Sequence, residues 1–114
     1  MKDSYDVVVI GAGPAGIFTA LELARLNQNA SILIVDKGRS IDKRVCPARE
    51  THVCQNCKPC AITSGWSGAG AFSDGKLSKS PDVGGRITDY MSFEDAQSLI
   101  DYADSIYLDF GASD

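Results

Sequence analysis

An α/β fold built on a parallel sheet is predicted by three features of the first 37 residues. They are a β-branched run, a glycine turn that opens an apolar-faced helix, and a second apolar run that closes on an acid. Val7-Val8-Val9-Ile10 has the pattern of a parallel strand buried on both faces. It leads directly into Gly11-Ala12-Gly13-Pro14-Ala15-Gly16. From Ala15 to Leu26 good helix formers follow, with Ile17, Ala20, Leu21 and Ala24 at the three- and four-residue spacings that make one apolar face. Asn27-Gln28-Asn29 breaks that pattern, and Ile32-Leu33-Ile34-Val35 reads as a second buried strand ending at Asp36.

Residues 1–37 therefore form one β-α-β unit. The rest divides into a cysteine-containing loop over 38–61, a glycine-rich segment over 62–91 and a helix over 92–111. Ser92-Phe93-Glu94-Asp95 resembles a capping box with Asp in place of Glu. Ala96, Leu99, Ile100, Ala103, Ile106, Tyr107 and Phe110 then recur at helical spacing, and Gly111 is a suitable stop. Asp101, Asp104 and Asp109 read as the solvated face of this helix, not as catalytic carboxylates.

The chain has 114 residues, with 11 Lys plus Arg against 15 Asp plus Glu, a net charge of −4. That balance argues against a nucleic-acid or anionic-membrane surface as the main partner. At 44% apolar and 23% charged, the composition is that of a globular protein. The longest unbroken apolar stretch is four residues, as in Val7–Ile10, far below the roughly 18 to 20 residues that span a bilayer. The start, Met1-Lys2-Asp3-Ser4-Tyr5-Asp6, lacks the pattern of a secretory signal, so the expected location is the cytoplasm, where cysteines are reduced or metal-bound.

The spacing G-x-G-x-x-G has a physical logic. Gly11 permits the tight turn out of the strand, Gly13 lets a pyrophosphate approach the backbone, and Gly16 lets the helix lie close to the strand. The helix N-terminus directs N–H groups at the phosphate charge. Asp36 stands where a carboxylate can accept the hydroxyl protons of an adenosine ribose, and its charge disfavours a 2′-phosphate there. Strand, turn, helix and acid together predict dinucleotide binding; the spacing alone does not separate FAD from NAD.

Cys46, Cys54, Cys57 and Cys60 follow the spacing C-x7-C-x2-C-x2-C. Four thiols in one loop could hold a metal or an iron–sulfur cluster, although neither zinc nor bacterial cluster templates are matched. A redox thiol pair and plain structural cysteines are the other two readings. His52, the one histidine, reads as a surface polar residue. In the segment Ile62 to Leu77, glycines at 65, 68, 70 and 75 let backbone lie against a flat ligand or a phosphate, while Trp66 and Phe72 argue for an ordered loop. Lys76 and Arg86 are candidates for phosphate contact.

These residues carry a resemblance. V-V-V-I-G-A-G-P-A-G-I-F-T-A-L-E-L-A, I-L-I-V-D-K-G, C-x2-C-K-P-C-A-I-T-S-G and above all G-W-S-G-A-G-A-F-S-D-G-K-L resemble the N-terminal part of bacterial and archaeal FAD-dependent dehydrogenases, relatives of the glutathione-reductase-like superfamily. The resemblance implies FAD as cofactor. It places Gly11, Gly13, Pro14, Ala15 and Gly16 around the pyrophosphate, Asp36 and Lys37 at the adenosine ribose, and Ser67, Gly68 and Ala69 towards the flavin. It also implies an oxidoreductase that passes hydride or electron pairs through the flavin, with NAD(P)H as a donor in the full-length protein; the residues nominate no catalytic acid or base. The contrasting reading is a non-catalytic dinucleotide-binding or redox-sensing module.

A mononucleotide-binding half needs three parallel strands, and two can be placed. The sequence thus predicts an incomplete N-terminal portion of a Rossmann-like FAD/NAD(P)-binding domain. The rest of the flavoprotein, or a partner subunit, is expected to complete it.

Overall fold

A computed structural model describes residues 3–113 of the protein. The chain divides into two units, Met1–Asp74 and Gly75–Asp114. In the first, β1 (Val7–Ile10) and β2 (Ile32–Val35) pair in parallel, with Val7 beside Ile32 and Ile10 beside Val35. Between them α1 (Pro14–Leu26) packs on both strands. The helix begins one residue earlier than its apolar periodicity suggests, because Pro14 at the first helical position has its φ already set and needs no N–H partner there. It ends at Asn27, whose side-chain oxygen accepts from Asn29 N–H at 3.2 Å and so turns the chain towards β2.

The register is fixed at both ends. The N–H groups of Asp6 and Val7 donate to Ser31 O at 3.0 and 3.2 Å, and Ser31 returns N–H and hydroxyl bonds to Asp6 Oδ2 at 2.7 and 2.6 Å. At the other end Gly11 N–H reaches Val35 O at 2.7 Å, carrying the pairing into the glycine turn.

The expectation that both strands are buried on both faces is corrected by the structure. Burial alternates along β1, and Val8, Ile10 and Val35 are 52%, 89% and 43% exposed. One side helix covers one sheet face, and a parallel sheet needs both covered. No third strand forms among the described residues; an isolated parallel bridge between Arg39 and Gly65 is the further pairing. The cysteine segment holds one helical turn, α2 (Ala48–Thr51), and Gly68–Phe72 forms a 3-10 helix.

The second unit is organised by α3 (Phe93–Asp109). Ser92 caps it: the hydroxyl oxygen accepts from Asp95 N–H at 3.0 Å and donates to Asp95 Oδ2 at 2.7 Å. The Asp side chain thus binds the Ser hydroxyl. In the Glu or Gln box it would reach back to the cap's own N–H. The C-terminus is a Schellman motif: Gly111, at φ +94°, donates to Leu108 O at 2.9 Å, and Ala112 N–H reaches Tyr107 O at 3.0 Å. The acids of this helix are more engaged than a solvated face. Asp104 pairs with Lys79 at 2.7 Å, and Asp101 accepts from Gln97 at 2.8 Å. Leu99 and Phe110 stay 54% and 85% exposed despite their helical spacing. Among the described residues, no helix is long and apolar enough to cross a membrane.

Candidate functional site

Three separated segments of the first unit meet at the end of β1. The first is the glycine turn. Gly11 takes φ +103°, a conformation open to glycine, and swings the chain from strand to helix. A Cβ on Gly16 would overlap the Gly11 carbonyl and stand 3.3 Å from a Val9 methyl, so Gly16 is demanded by the crossing of α1 over β1. Gly13 is different. Its φ of −79° suits any residue, and no protein atom would lie within 4 Å of a Cβ placed there. Nothing in the protein itself requires glycine at this position. Gly13 is also the N-cap of α1 and offers no capping side chain, and the first intrahelical bond, Ile17 N–H to Gly13 O at 3.0 Å, leaves the N–H groups before it at the open helix end.

The second segment is the end of β2. Asp36 Oδ2 accepts from Ala12 N–H at 2.9 Å, and Oδ1 accepts from Gly38 N–H at 2.7 Å. These two backbone donors hold the carboxyl below its ordinary pKa, against a smaller opposing effect of desolvation and with help from Lys37 and Arg44. The side chain is ionised and fixed, with a remaining lone pair on each oxygen.

The third segment is Ser67–Gly68. Ser67, in the left-handed region at φ +70°, donates its N–H to Ala12 O at 2.8 Å, and a Cβ on Gly68 would come 3.2 Å from Gly13 Cα. Ala69 follows in the 3-10 helix, exposed. The structure therefore brings Gly11, Gly13, Gly16, Asp36, Ser67 and Gly68 together. Pro14 and Ala15 sit exposed in the first turn of α1, and Lys37 is exposed beside Asp36.

Sequence reasoning missed the residue that holds the third segment in place. Arg44 is 4% exposed, the one buried charged side chain among the described residues. Its guanidinium donates to Ala61 O at 2.9 Å, to Ile62 O at 2.7 Å and to Trp66 O, and it lies 4.8 Å over the Phe72 ring, with Arg49 at 5.3 Å from the same ring. A planar fork with several donors suits such a set of carbonyls better than an ammonium would. Gly65 is also needed here: it is buried at φ +122°, and a Cβ would come within 2.5 Å of Arg39 O and 2.8 Å of Arg44 Cδ. Backbone carbonyls leave no mark in a sequence, which is why this clamp is illegible there. Phe72 is half-buried, as an ordered loop requires, but Trp66 stays 43% exposed.

All four cysteines are free, Cys46 half-buried and Cys54, Cys57 and Cys60 exposed. The structure does not draw them into a cluster: among the described residues no three His, Cys, Asp or Glu side chains form a group that could hold a metal ion. Cys60 is set apart by its surroundings. The N–H groups of Thr63 and Ile62 and the Thr63 hydroxyl stand near its sulfur and lower its pKa, with Arg44 adding a little. Lys76 belongs to the second unit, and there Arg86 pairs with Asp89 at 2.6 Å.

Residues 5–91 match the family profile described as pyridine nucleotide-disulphide oxidoreductase. The chain is similar to an uncharacterised protein of Clostridium beijerinckii, 41% identical over 71 residues, which cover 61% of this chain and 13% of that protein. It is 36% identical over 48 residues to the mitochondrial electron transfer flavoprotein-ubiquinone oxidoreductase of Dictyostelium discoideum, 39% of this chain and 8% of that one. It is 44% identical over 45 residues to digeranylgeranylglycerophospholipid reductase 1 of Methanococcoides burtonii, 40% of this chain and 10% of that one. The chain thus spans between 8% and 13% of the length of these relatives. No solved structure matches it.

Proposed function

Because the chain belongs to the pyridine nucleotide-disulphide oxidoreductase family, with the Rossmann-like dinucleotide-binding fold that membership implies, we propose that it is the FAD-binding portion of a larger flavin-dependent oxidoreductase. The observation that carries the reading is the contrast between Gly16 and Gly13. Gly16 is closed by the protein, whereas Gly13 faces open space at an uncapped helix N-terminus. An open cradle beside exposed N–H donors fits a pyrophosphate. Asp36, kept ionised by two backbone bonds, fits the diol of an adenosine ribose. Two relatives reinforce this: one is named an electron transfer flavoprotein-ubiquinone oxidoreductase and another a reductase.

FAD, when bound, supplies the acceptance and release of an electron pair. The residues of this chain contribute binding and orientation. Gly13 and the first turn of α1 hold the pyrophosphate, Asp36 and Lys37 the ribose end, and Ser67, Gly68 and Ala69 the approach to the flavin. NAD(P)H as reductant, a cytoplasmic location and completion by further flavoprotein sequence or a partner subunit belong to the same reading.

Gly13→Ala tests it cleanly, since the added methyl meets no protein atom within 4 Å. The expected result is an unchanged circular dichroism spectrum and melting temperature, with FAD binding, followed by flavin fluorescence, weakened about tenfold or more, the equivalent of ~1.4 kcal/mol. Equal affinity for FAD in both proteins would overturn the assignment of the pyrophosphate to this turn.

A further inference from the structure

A second concavity opens in the first unit, with none of the glycine turn in its walls. It has a volume of about 240 Å³ and runs between residues 39–47 and 57–64. Arg39, Lys43, Arg44 and Lys58 line it, together with Cys57, and no acidic residue does; nor does Asp36 or any residue of the turn 11–16. Four positive charges around one small hollow, in a protein of net charge −4, is a local reversal of the overall balance.

The charge on Arg44 gives the reversal its meaning. Three of its five N–H donors go to backbone carbonyls, and a carbonyl is a dipole and not a counter-charge. Among the described residues no carboxylate is in direct ion-pair contact with Arg44, which is 4% exposed; Asp36 feels its charge only weakly, without contact. Buried charges ordinarily come with an opposite charge, because leaving one uncompensated is destabilising. Arg39, Lys43 and Lys58 on the same walls make no carboxylate pair either, among the described residues. The hollow has the charge and the vacant pairing capacity that an anion would use.

We propose that this hollow is a binding site for a small organic oxyanion, a phosphate monoester or dicarboxylate, separate from the dinucleotide site. Size sets the class. A volume of about 240 Å³ holds several waters at ~30 Å³ each, but lies below the ~300 to 1,000 Å³ of sites for drug-sized ligands. A three- or four-carbon anion fits; a dinucleotide does not. The Arg39 guanidinium offers planar recognition of phosphate or carboxylate oxygens, Lys43 and Lys58 are point charges at the rim, and Arg44, its fork held by carbonyls, contributes its charge from the wall.

Cys57 on the wall is a built-in reporter. Alkylation of Cys57 and of Cys54, which does not line the hollow, is followed by peptide mass spectrometry at constant ionic strength. The probes are inorganic phosphate, glycerol 3-phosphate and succinate, each with and without saturating FAD. The expected result is saturable slowing at Cys57 by about fivefold or more with at least one of the two organic anions. Cys54 should be unaffected, the slowing should persist with FAD bound, and it should vanish in the Lys43→Gln/Lys58→Gln variant, whose changes lie at exposed positions. No protection, equal protection at Cys54, protection undiminished in the double variant, or protection by FAD that leaves no further effect of the anions would each overturn the proposal. FAD affinity is measured separately in the same samples, so loss of the FAD reading and loss of this one are distinguishable.

Discussion

Asp36 shows how one side chain can serve the fold and the ligand at once. By accepting from Ala12 and Gly38 it ties the exits of β1 and β2 together, so the loops that follow the two strands leave the sheet in fixed directions. Its folded pKa lies below the ordinary value, so ionisation favours the folded state. That contribution is complete above the unfolded carboxylate value of about 4 and is lost as pH falls through the depressed folded value. The melting temperature of the protein should therefore drop on acidification below about pH 4, and Asp36→Asn should flatten part of that drop while lowering the melting temperature at pH 7. Parallel curves for the two proteins would show that the carboxylate does not carry the effect. Arg44 works by the same economy of means, but its partners are carbonyls at positions 61, 62 and 66, which any residue supplies. A carboxylate at the end of a strand can be anticipated from its motif; an arginine that grips backbone cannot.

At the level of elements, the units that reveal themselves in sequence are those whose stability is local. β1, α1 and β2 follow from runs and periodicity within a few residues of where they were expected, and α3 from a cap, an apolar spacing and a glycine stop. Replacing Ser92 by Ala removes the acceptor of Asp95 N–H and should cost about 1 kcal/mol, seen as reduced helicity by circular dichroism and a lower melting temperature. Ser92→Thr, which keeps both the acceptor for Asp95 N–H and the hydroxyl donor to Asp95 Oδ2, should recover most of the loss; equal loss in both variants would place the effect elsewhere. What was not legible is the conformation of the 38–72 stretch. It is held by the Arg39–Gly65 bridge, by Arg44 and by the closeness of Gly38 to Gly65, all contacts between distant positions without a repeating signature. The metal-like spacing of the cysteines was legible, but spacing says nothing of convergence, and the side chains do not gather.

The whole molecule is defined by what its sheet leaves open. Continuous apolar strands predict a parallel sheet covered on both faces; the parallel pairing forms, but cover depends on elements outside the strands themselves. Val8, Ile10 and Val35 stay exposed because a single helix, α1, serves the pair. The candidate dinucleotide site escapes this incompleteness, since its three segments all lie in Met1–Asp74. Its geometry also sets how it will respond to an arriving ligand. Where Gly16 presses on Gly11 no side chain intervenes, so that joint has no soft part to yield; Gly68–Phe72, by contrast, is one short 3-10 helix carrying two glycines. Hydrogen exchange should then find α1 equally protected with and without FAD, and Gly68–Phe72 slowed only when FAD is present. Unchanged exchange over Gly68–Phe72 on saturation with FAD would contradict it. One wall of the site is an anvil and the other a spring, and the work of accommodation falls on the residues after Ser67.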